Sequence, residues 1–475
     1  MTTSTGIVPA AELGRVHFIG IGGAGMSGIA RVMLARGIPV SGSDARDSDV
    51  VTGLRALGAR VTIGHVGDAV DDVDTVVVSS AIREDNPELA RARGRGLRVM
   101  HRSAALGALM TGRRTVAVAG THGKTTTTSM TTVALQACAA DPSFVIGGVL
   151  TATGANAHEG TGDVFVAEAD ESDGSFLLYE PTVGIVTNVE ADHLDHYGTA
   201  DAVTEAFRAF ARRTGETGGT LIACLDDAGA AGIATYAAER DCDVIGYGFG
   251  PFTADALPGM RVARIEPGAS QGQEQRFTIS LDDRRIPVEL HQPGRYNALN
   301  ATAAVCTALA VGYDPEEAAR GLAGFHGTRR RFEYRGQGSG VRVFDDYAHH
   351  PTEITALLTA AQDVVDPGGR VHAVFQPHLF SRTQSFRREF GEALGIADEA
   401  IVLDVFPARE DPVPGVTGAI VADEVPHAGG VFLPAFTQVV PYLLERVRPG
   451  DIVLTIGAGD VTVLGAEIVE ALGDA

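Results

Sequence analysis

The chain has 475 residues, 45% of them apolar and 21% charged, with a formal net charge of −22. It is too apolar for a disordered chain, long enough for about three domains, and too acidic for a general binder of nucleic acid or anionic membrane. No apolar run reaches the ~18–20 residues of a membrane span, and the scattered Cys138, Cys224, Cys242 and Cys306 form neither a zinc nor a disulfide pattern, so a reducing cytoplasmic location is expected. The opening MTTSTGIVPAAELGR lacks a basic region followed by an apolar core, and no secretory signal is expected.

The first predicted element is a short strand, Val16–Ile19. A glycine turn follows (Gly20, Gly22, Gly23, Ala24, Gly25, Met26), then a helix ending near Arg36-Gly37 and a second strand, Ile38–Ser41, leading to Asp44. G-x-G-x-x-G with an acid nineteen residues on places a diphosphate at a helix N-terminus. Read alone, it predicts an NAD-dependent dehydrogenase. A UDP-sugar supplies a diphosphate equally well, and the loops at Gly64-His65 and Ser79-Ser80 could grip such a second polar ligand.

Further strands are predicted at Thr75–Val78, Val116–Ala119, Val164–Ala167, Val183–Val186, Val341–Phe344, Val371–Phe375, Ile401–Val405 and Ile452–Ile456. Strands alternating with helices predict an α/β architecture with parallel sheets. Gln275–Leu281 and Arg285–Leu290 read as a small antiparallel patch. Arg113-Arg114 and Arg329–Arg331 read as seams, which gives expected domains 1–112, 113–328 and 329–475.

Five polar loops, GTHGKTT, EADESD, TNVEADH, DDYAHHP and QPHLFSRT, each begin where an apolar strand ends, the edge at which open α/β sheets bind ligands. Six of the fourteen histidines lie in or beside them. Gly120, Thr121, His122, Gly123, Lys124, Thr125 and Thr126 form a tight phosphate loop between a strand and a helix. In such a loop backbone N–H groups and an ammonium meet phosphates, and the first threonine hydroxyl meets Mg²⁺. Lys124 is the only lysine among 38 basic residues. Because its loop reads as partly exposed, replacing it is expected to abolish nucleotide chemistry and spare the fold. Glu168 is a candidate Mg²⁺ ligand with Thr125. His193 is a third candidate, although imidazole is an unusual ligand for that ion.

The segments HFIGIGGAGMSGIA, SGSD, GTHGKTTTT, EADESD, TNVEADHLDHY, GRYNALNA, DDYAHHPTE and FQPHLFSRT together resemble the Mur ligase family of peptidoglycan synthesis, in order and spacing over essentially the whole chain. The resemblance is strongest to the member that adds the first amino acid. It implies a Rossmann-like UDP-binding domain, a central P-loop ATPase domain with a parallel sheet, and a C-terminal Rossmann-like domain. Implied substrates are ATP, UDP-N-acetylmuramate and L-alanine, with Mg²⁺. No nucleic-acid partner and no membrane span are implied, and a monomer or weak homo-oligomer is expected.

By the same resemblance, UDP-sugar would contact Gly20 to Met26, Asp44, His65, Ser79 and Ser80. Asn297 and Asn300 would lie near the adenine, and Arg331, Asp346, His349 and Arg382 would come from the third domain. His349 would orient or deprotonate the amine, or serve as a closure contact, and Arg382 would take the alanine carboxylate. Tyr296 and Leu379 replace a histidine and an arginine that many relatives carry. Later-acting relatives use a carbamylated lysine to hold a second Mg²⁺, which this chain lacks outside the phosphate loop. The rival readings are a non-catalytic nucleotide sensor and a ligase for a preformed peptide.

Overall fold

The computed structural model describes residues 7–252, 257–408, 410–426 and 430–473. Three sheets follow one another along the chain. The first contains β1 (Val16–Ile19), β2 (Val40–Asp44), β3 (Arg60–Ile63), β4 (Thr75–Val78) and β5 (Arg98–His101) in the order β3-β2-β1-β4-β5, all parallel. Its helices are α1 (Ala24–Ala35), α2 (Asp49–Ala56), α3 (Pro87–Gly94) and α4 (Arg102–Met110). Asn86 caps α3 by accepting from the N–H groups of Glu88 and Leu89, with Pro87 in the first turn where a missing N–H costs nothing.

The central sheet has ten strands. Its middle is β6 (Arg114–Ala119), which leads into α5 (Lys124–Ala137). β7 (Ser143–Val145), β8 (Ala157–His158) and β9 (Val164–Glu168) lie on one side. On the other lie β10 (Val183–Val186), β11 (Thr220–Cys224), β12 (Asp243–Gly248), β13 (Met260–Gln271), β14 (Glu274–Leu281) and β15 (Arg284–Leu290). The intervening helices are α6 (Leu194–Tyr197), α7 (Ala200–Glu216) and α8 (Ala228–Ala238). α9 (Arg295–Ala310) and α10 (Pro315–Gly321) follow β15. The two-residue links within β13-β14-β15 permit only antiparallel hairpins, as the alternating sequence predicts. Register pairs Ala119 with Val186 on one side of β6 and Val118 with Glu168 on the other. The loops after β9 and β10 therefore flank the loop after β6.

The third sheet comprises β16 (Glu333–Gly338), β17 (Val341–Asp346), β18 (Val371–Phe375), β19 (Glu399–Val402), β20 (Gly430–Phe432) and β21 (Ile452–Ile456), in the order β16-β17-β21-β18-β19-β20. Its helices are α11 (Pro351–Val364), α12 (Phe380–Ser385), α13 (Arg387–Leu394), α14 (Ala419–Ala422), α15 (Val439–Leu444) and α16 (Val463–Gly473). Alternation along β21 makes the layering plain: Ile452, Leu454 and Ile456 pack with α11 and α13, while Val453 packs with α15 and α16. Burial on both faces explains the unbroken apolar runs.

β6 starts two residues earlier, at Arg114, and β17 runs two residues further, to Asp346, than in the sequence reading, and two other strands are shifted. The strand expected at Ile401–Val405 runs from Glu399 to Val402, and that expected at Ile38–Ser41 runs from Val40 to Asp44, because ladder pairing with β18 and β1, rather than local apolarity, sets the ends. The chain packs as two compact units. One holds Met1–Pro267, Phe277–Val288 and Leu299–Gly324; the other holds Gly268–Arg276, Glu289–Ala298 and Phe325–Ala475.

Candidate active site

Gly120 and Gly123 turn the chain after β6, with φ of +137° and +81°. A side chain at Gly120 would collide with Thr187, and one at Gly123 would press on Asn300, so only glycine fits. The loop is fastened by residues that follow β10. Asn188 Oδ1 accepts the His122 N–H at 2.7 Å, while Asn188 Nδ2 and Thr187 Oγ1 donate to the His122 carbonyl at 3.0 and 2.6 Å. The Glu190 N–H donates to Thr121 Oγ1 at 3.0 Å, and Glu190 lies 3.3 Å from His122 Nε2. Across α5, Thr127 Oγ1 donates to Asn300 Oδ1 at 3.0 Å.

The Lys124 ammonium donates to the carbonyls of Gly120 and Thr121 at 2.7 and 3.2 Å, and both oxygens of Glu171 lie 2.8 Å from it. Burial alone would lower the lysine pKa, but Glu171, Asp170 and Glu168 outweigh it, and Lys124 stays charged. The Glu171 side chain is only 2% exposed. Burial pushes its carboxyl up to about 7 against the pull of Lys124. His193, in a left-handed conformation that starts α6, places Nε2 3.7 Å from Glu171 and from Asp192. The Tyr197 hydroxyl donates to the Glu171 carbonyl at 2.5 Å. Glu168 ends β9 and accepts the Gly147 N–H at 2.7 Å. Glu168, Asp170 and Glu171, whose charges act on Lys124, are hard oxygen donors of the kind that suits Mg²⁺, as is a threonine hydroxyl such as that of Thr125, with His193 the softer outlier.

The acidic loop after β9 also reaches the first sheet. Arg102 donates to Asp170 at 2.5 Å, and its guanidinium passes so close to Gly25 that a Cβ there would come within 2.9 Å. Burial would raise the Asp170 carboxyl, but Lys124 and Arg102 hold it at about 2. Ser80 Oγ donates to Asp173 at 3.0 Å and meets His101 at 3.2 Å. In the glycine turn, Gly22 N–H donates to Asp44 Oδ2 at 2.8 Å, so this acid braces the turn itself.

In the third domain, Asp346 accepts the N–H groups of Phe332 and Ala348, both at 2.7 Å. Burial raises its carboxyl to about 6 against Arg331. The guanidinium groups of Arg330 and Arg331 lie 4.9 and 5.2 Å from the Tyr347 ring centre. His349 Nδ1 lies 3.1 Å from the Tyr347 carbonyl, a bond only an N–H can make, which leaves Nε2 as the acceptor of the neutral ring. Burial drops the His349 pKa to about 4, with Glu353 opposing and Arg382 and His378 assisting. Leu379 holds φ +69° and ψ 134°, a costly conformation for a branched side chain, at the entrance to α12 and Arg382.

Family comparison covers nearly the whole chain. The Mur ligase catalytic domain matches residues 15–114, the middle domain 118–308, and the glutamate ligase domain 330–459. A relative from Renibacterium salmoninarum, described as a UDP-N-acetylmuramate–L-alanine ligase, is 54% identical over 461 residues, spanning 97% of this chain and 96% of its own. The chain belongs to the Mur ligase family. A relative of the same description from Kineococcus radiotolerans is 54% identical across 100% of both chains. Among solved structures, the UDP-N-acetylmuramate–alanine ligase of Thermotoga maritima has a TM-score of 0.78 at 28% identity, covering 96% of this chain and 98% of that one. The murein peptide ligase of Psychrobacter arcticus shares the fold, with a TM-score of 0.68 at 24% identity over 97% and 99% of the two chains.

In this Mur ligase the phosphate loop, Glu168 and His193 gather at one sheet edge. Asn300 joins them by bracing Gly123 and Thr127. The Asn297 side-chain amide donates to the Pro293 carbonyl at the start of α9. Ser80, expected at the sugar, is engaged by Asp173 and His101. Glu171, Arg102 and the buried Glu88 of α3 are among the residues that escape the sequence reading, as are Thr187 and Glu190. Glu171 sits inside a motif already marked as acidic, so its neighbour three positions earlier drew the metal role. Arg102 is one arginine among many, and nothing local distinguishes it.

Proposed function

We propose that this chain is an ATP-dependent carboxylate–amine ligase, joining L-alanine to the lactyl carboxylate of UDP-N-acetylmuramate in peptidoglycan synthesis. One observation carries the reading. The acidic loop 168–173 touches the phosphate lysine through Glu171 and the glycine-turn domain through Arg102 and Ser80, so one segment serves both a triphosphate and a diphosphate-sugar. A dehydrogenase has no use for the first. A sensor that binds both nucleotides needs neither the metal-binding set of Glu168 and His193 nor His349.

A carboxylate oxygen of the sugar attacks the γ-phosphorus and the bond to ADP breaks, leaving an acyl phosphate. The alanine amine, having lost a proton, attacks the acyl carbon and expels phosphate. Gly120 to Thr126 and Lys124 hold and neutralise the phosphates, so most of the acceleration is positioning and electrostatics. Thr125, Glu168 and His193 would hold Mg²⁺, which supplies charge neutralisation at the phosphate oxygens. Arg382 pairs with the alanine carboxylate through its planar guanidinium. His349 orients the amine through its neutral Nε2; with burial holding the ring at about 4, it is a poor acceptor for the first proton of a resting α-ammonium of pKa ~8, which goes to solvent. Domain seams at 112/113 and 328/329, a cytoplasmic setting and a monomer or weak homo-oligomer complete the proposal.

Phosphate release is the test. With ATP, Mg²⁺ and UDP-N-acetylmuramate, L-alanine should stimulate release and a tripeptide should not. Stimulation by the tripeptide alone would move the chain to the peptide-joining activity.

A further inference from the structure

Beneath the first sheet's binding edge lies a fully buried carboxylate with no place in the chemistry above. Glu88, in the first turn of α3, has a side-chain exposure of 0%. Its Oε1 accepts the Val66 N–H at 3.1 Å. Its Oε2 accepts the Ser43 hydroxyl at 2.6 Å and faces His17 Nε2 at 3.4 Å. Ser43 Oγ in turn lies 2.9 Å from His65 Nδ1, while the direct distance from that nitrogen to Glu88 is 3.6 Å, too long for a hydrogen bond.

Donor counting fixes the direction of this chain. Burial works against the charged form of Glu88, but His17, Ser43 and Val66 prevail and its pKa lies below the ordinary value, so both oxygens only accept. Ser43 owns one hydroxyl hydrogen, and the 2.6 Å contact to Glu88 uses it. The Ser43 oxygen must then accept from His65, which requires the proton on Nδ1. In the neutral ring, Nε2 is left with its lone pair.

We propose that Glu88, acting through Ser43, is a positioning residue that locks His65 as the Nδ1–H tautomer. Nε2 is thereby presented to the nucleotide as a hydrogen-bond acceptor. The group it takes must be a donor, a ribose hydroxyl or an imide N–H, and a ligand offering an acceptor there is rejected. Val66, pinned by the same carboxylate, holds the His65 backbone in place. The proposal rests on the reading of the first domain as the UDP-sugar site.

Glu88→Gln tests it by reversing the relay. The Val66 N–H claims the amide oxygen, so the amide NH₂ faces Ser43, Ser43 donates to His65 Nδ1, and the ring proton moves to Nε2. The full chain at pH 8, where an ordinary imidazole is neutral, is compared by ¹⁵N NMR of histidine, with His65→Gln identifying the resonance. The parent should show Nδ1 protonated and Glu88→Gln should show Nε2 protonated. Calorimetry with UDP-N-acetylmuramate should show Kd rising at least ~10-fold in Glu88→Gln, as expected for a donor facing a donor.

Ser43→Ala removes one oxygen and covers the case in which Glu88→Gln fails to fold. It should raise the KM for the UDP-sugar and leave that for ATP unmoved. An unchanged tautomer in Glu88→Gln, or an unchanged sugar KM in Ser43→Ala, overturns the relay. If His65→Gln itself leaves UDP-sugar affinity intact, the placement of the nucleotide fails instead.

Discussion

Lys124→Met separates what the lone lysine does for the fold from what it does for catalysis. The sequence suggested that this loop tolerates the change, but the ammonium is paired with a carboxylate whose side chain is 2% exposed. Removing one member of such a pair costs about 3–5 kcal/mol, limited by the ability of the orphaned acid to take up a proton. Burial already lifts Glu171 from 4.5 to about 7 in the parent, and loss of Lys124 lifts it further.

An acid whose folded pKa exceeds its unfolded one binds more protons when folded. Its stabilising contribution is therefore complete at low pH and is lost as pH rises towards the folded value. In the parent that window closes near pH 7; in Lys124→Met it extends beyond, at about 1.4 kcal/mol per pH unit. The thermal midpoint in EDTA should thus fall further below the parent at pH 8.5 than at pH 6.5. Lys124→Met/Glu171→Gln should erase the pH-dependent part, while both variants lose at least ~10² in ligation rate. Midpoints equal to the parent at both pH values would refute the buried-pair argument. Near-parent ligation by the double variant would refute the phosphate role.

His193→Ala should shift the Mg²⁺ titration of activity more than it shifts ATP binding at saturating Mg²⁺; an unmoved titration removes His193 from the metal. Because no second lysine exists to be carbamylated, activity should be indifferent to bicarbonate, and loss on stripping carbon dioxide with recovery on its return would contradict this. Arg382→Lys keeps charge but loses paired geometry, so the KM for alanine should rise while that for ATP holds; a defect confined to ATP would move Arg382 to the phosphates. In calorimetry the full chain should bind UDP-N-acetylmuramate and not NAD, and the opposite preference would restore the dehydrogenase reading of the glycine turn.

What the sequence made legible is what is local. Gly120-Thr121-His122-Gly123-Lys124 announces its turn because glycine, strand and helix signals coincide within a few residues. The strand-end placement of Glu168 and His193 follows from apolar runs that are buried on both faces. Partners supplied by tertiary packing stayed hidden. Nothing near Glu171 signals that Lys124 will meet it 47 positions away, and Asn86 and Pro87 mark the helix start just before Glu88 without revealing Ser43 and His65 opposite. Asn300 was marked for its motif, yet its contact with Thr127 spans 173 positions and depends on how α9 returns to α5.

The chain's arginine-only cationic surface acquires a chemical meaning from how Lys124 is held. An acyl phosphate reacts with any amine it meets, including those of the protein that makes it. Here the only side-chain amine is kept protonated, bonded to two carbonyls and a carboxylate, and so has no lone pair to offer. Guanidinium groups, with pKa values above ~12, are equally inert. The enzyme can generate a reactive mixed anhydride without acylating its own lysine, and an amine-directed reagent at neutral pH should leave Lys124 untouched until the fold is lost.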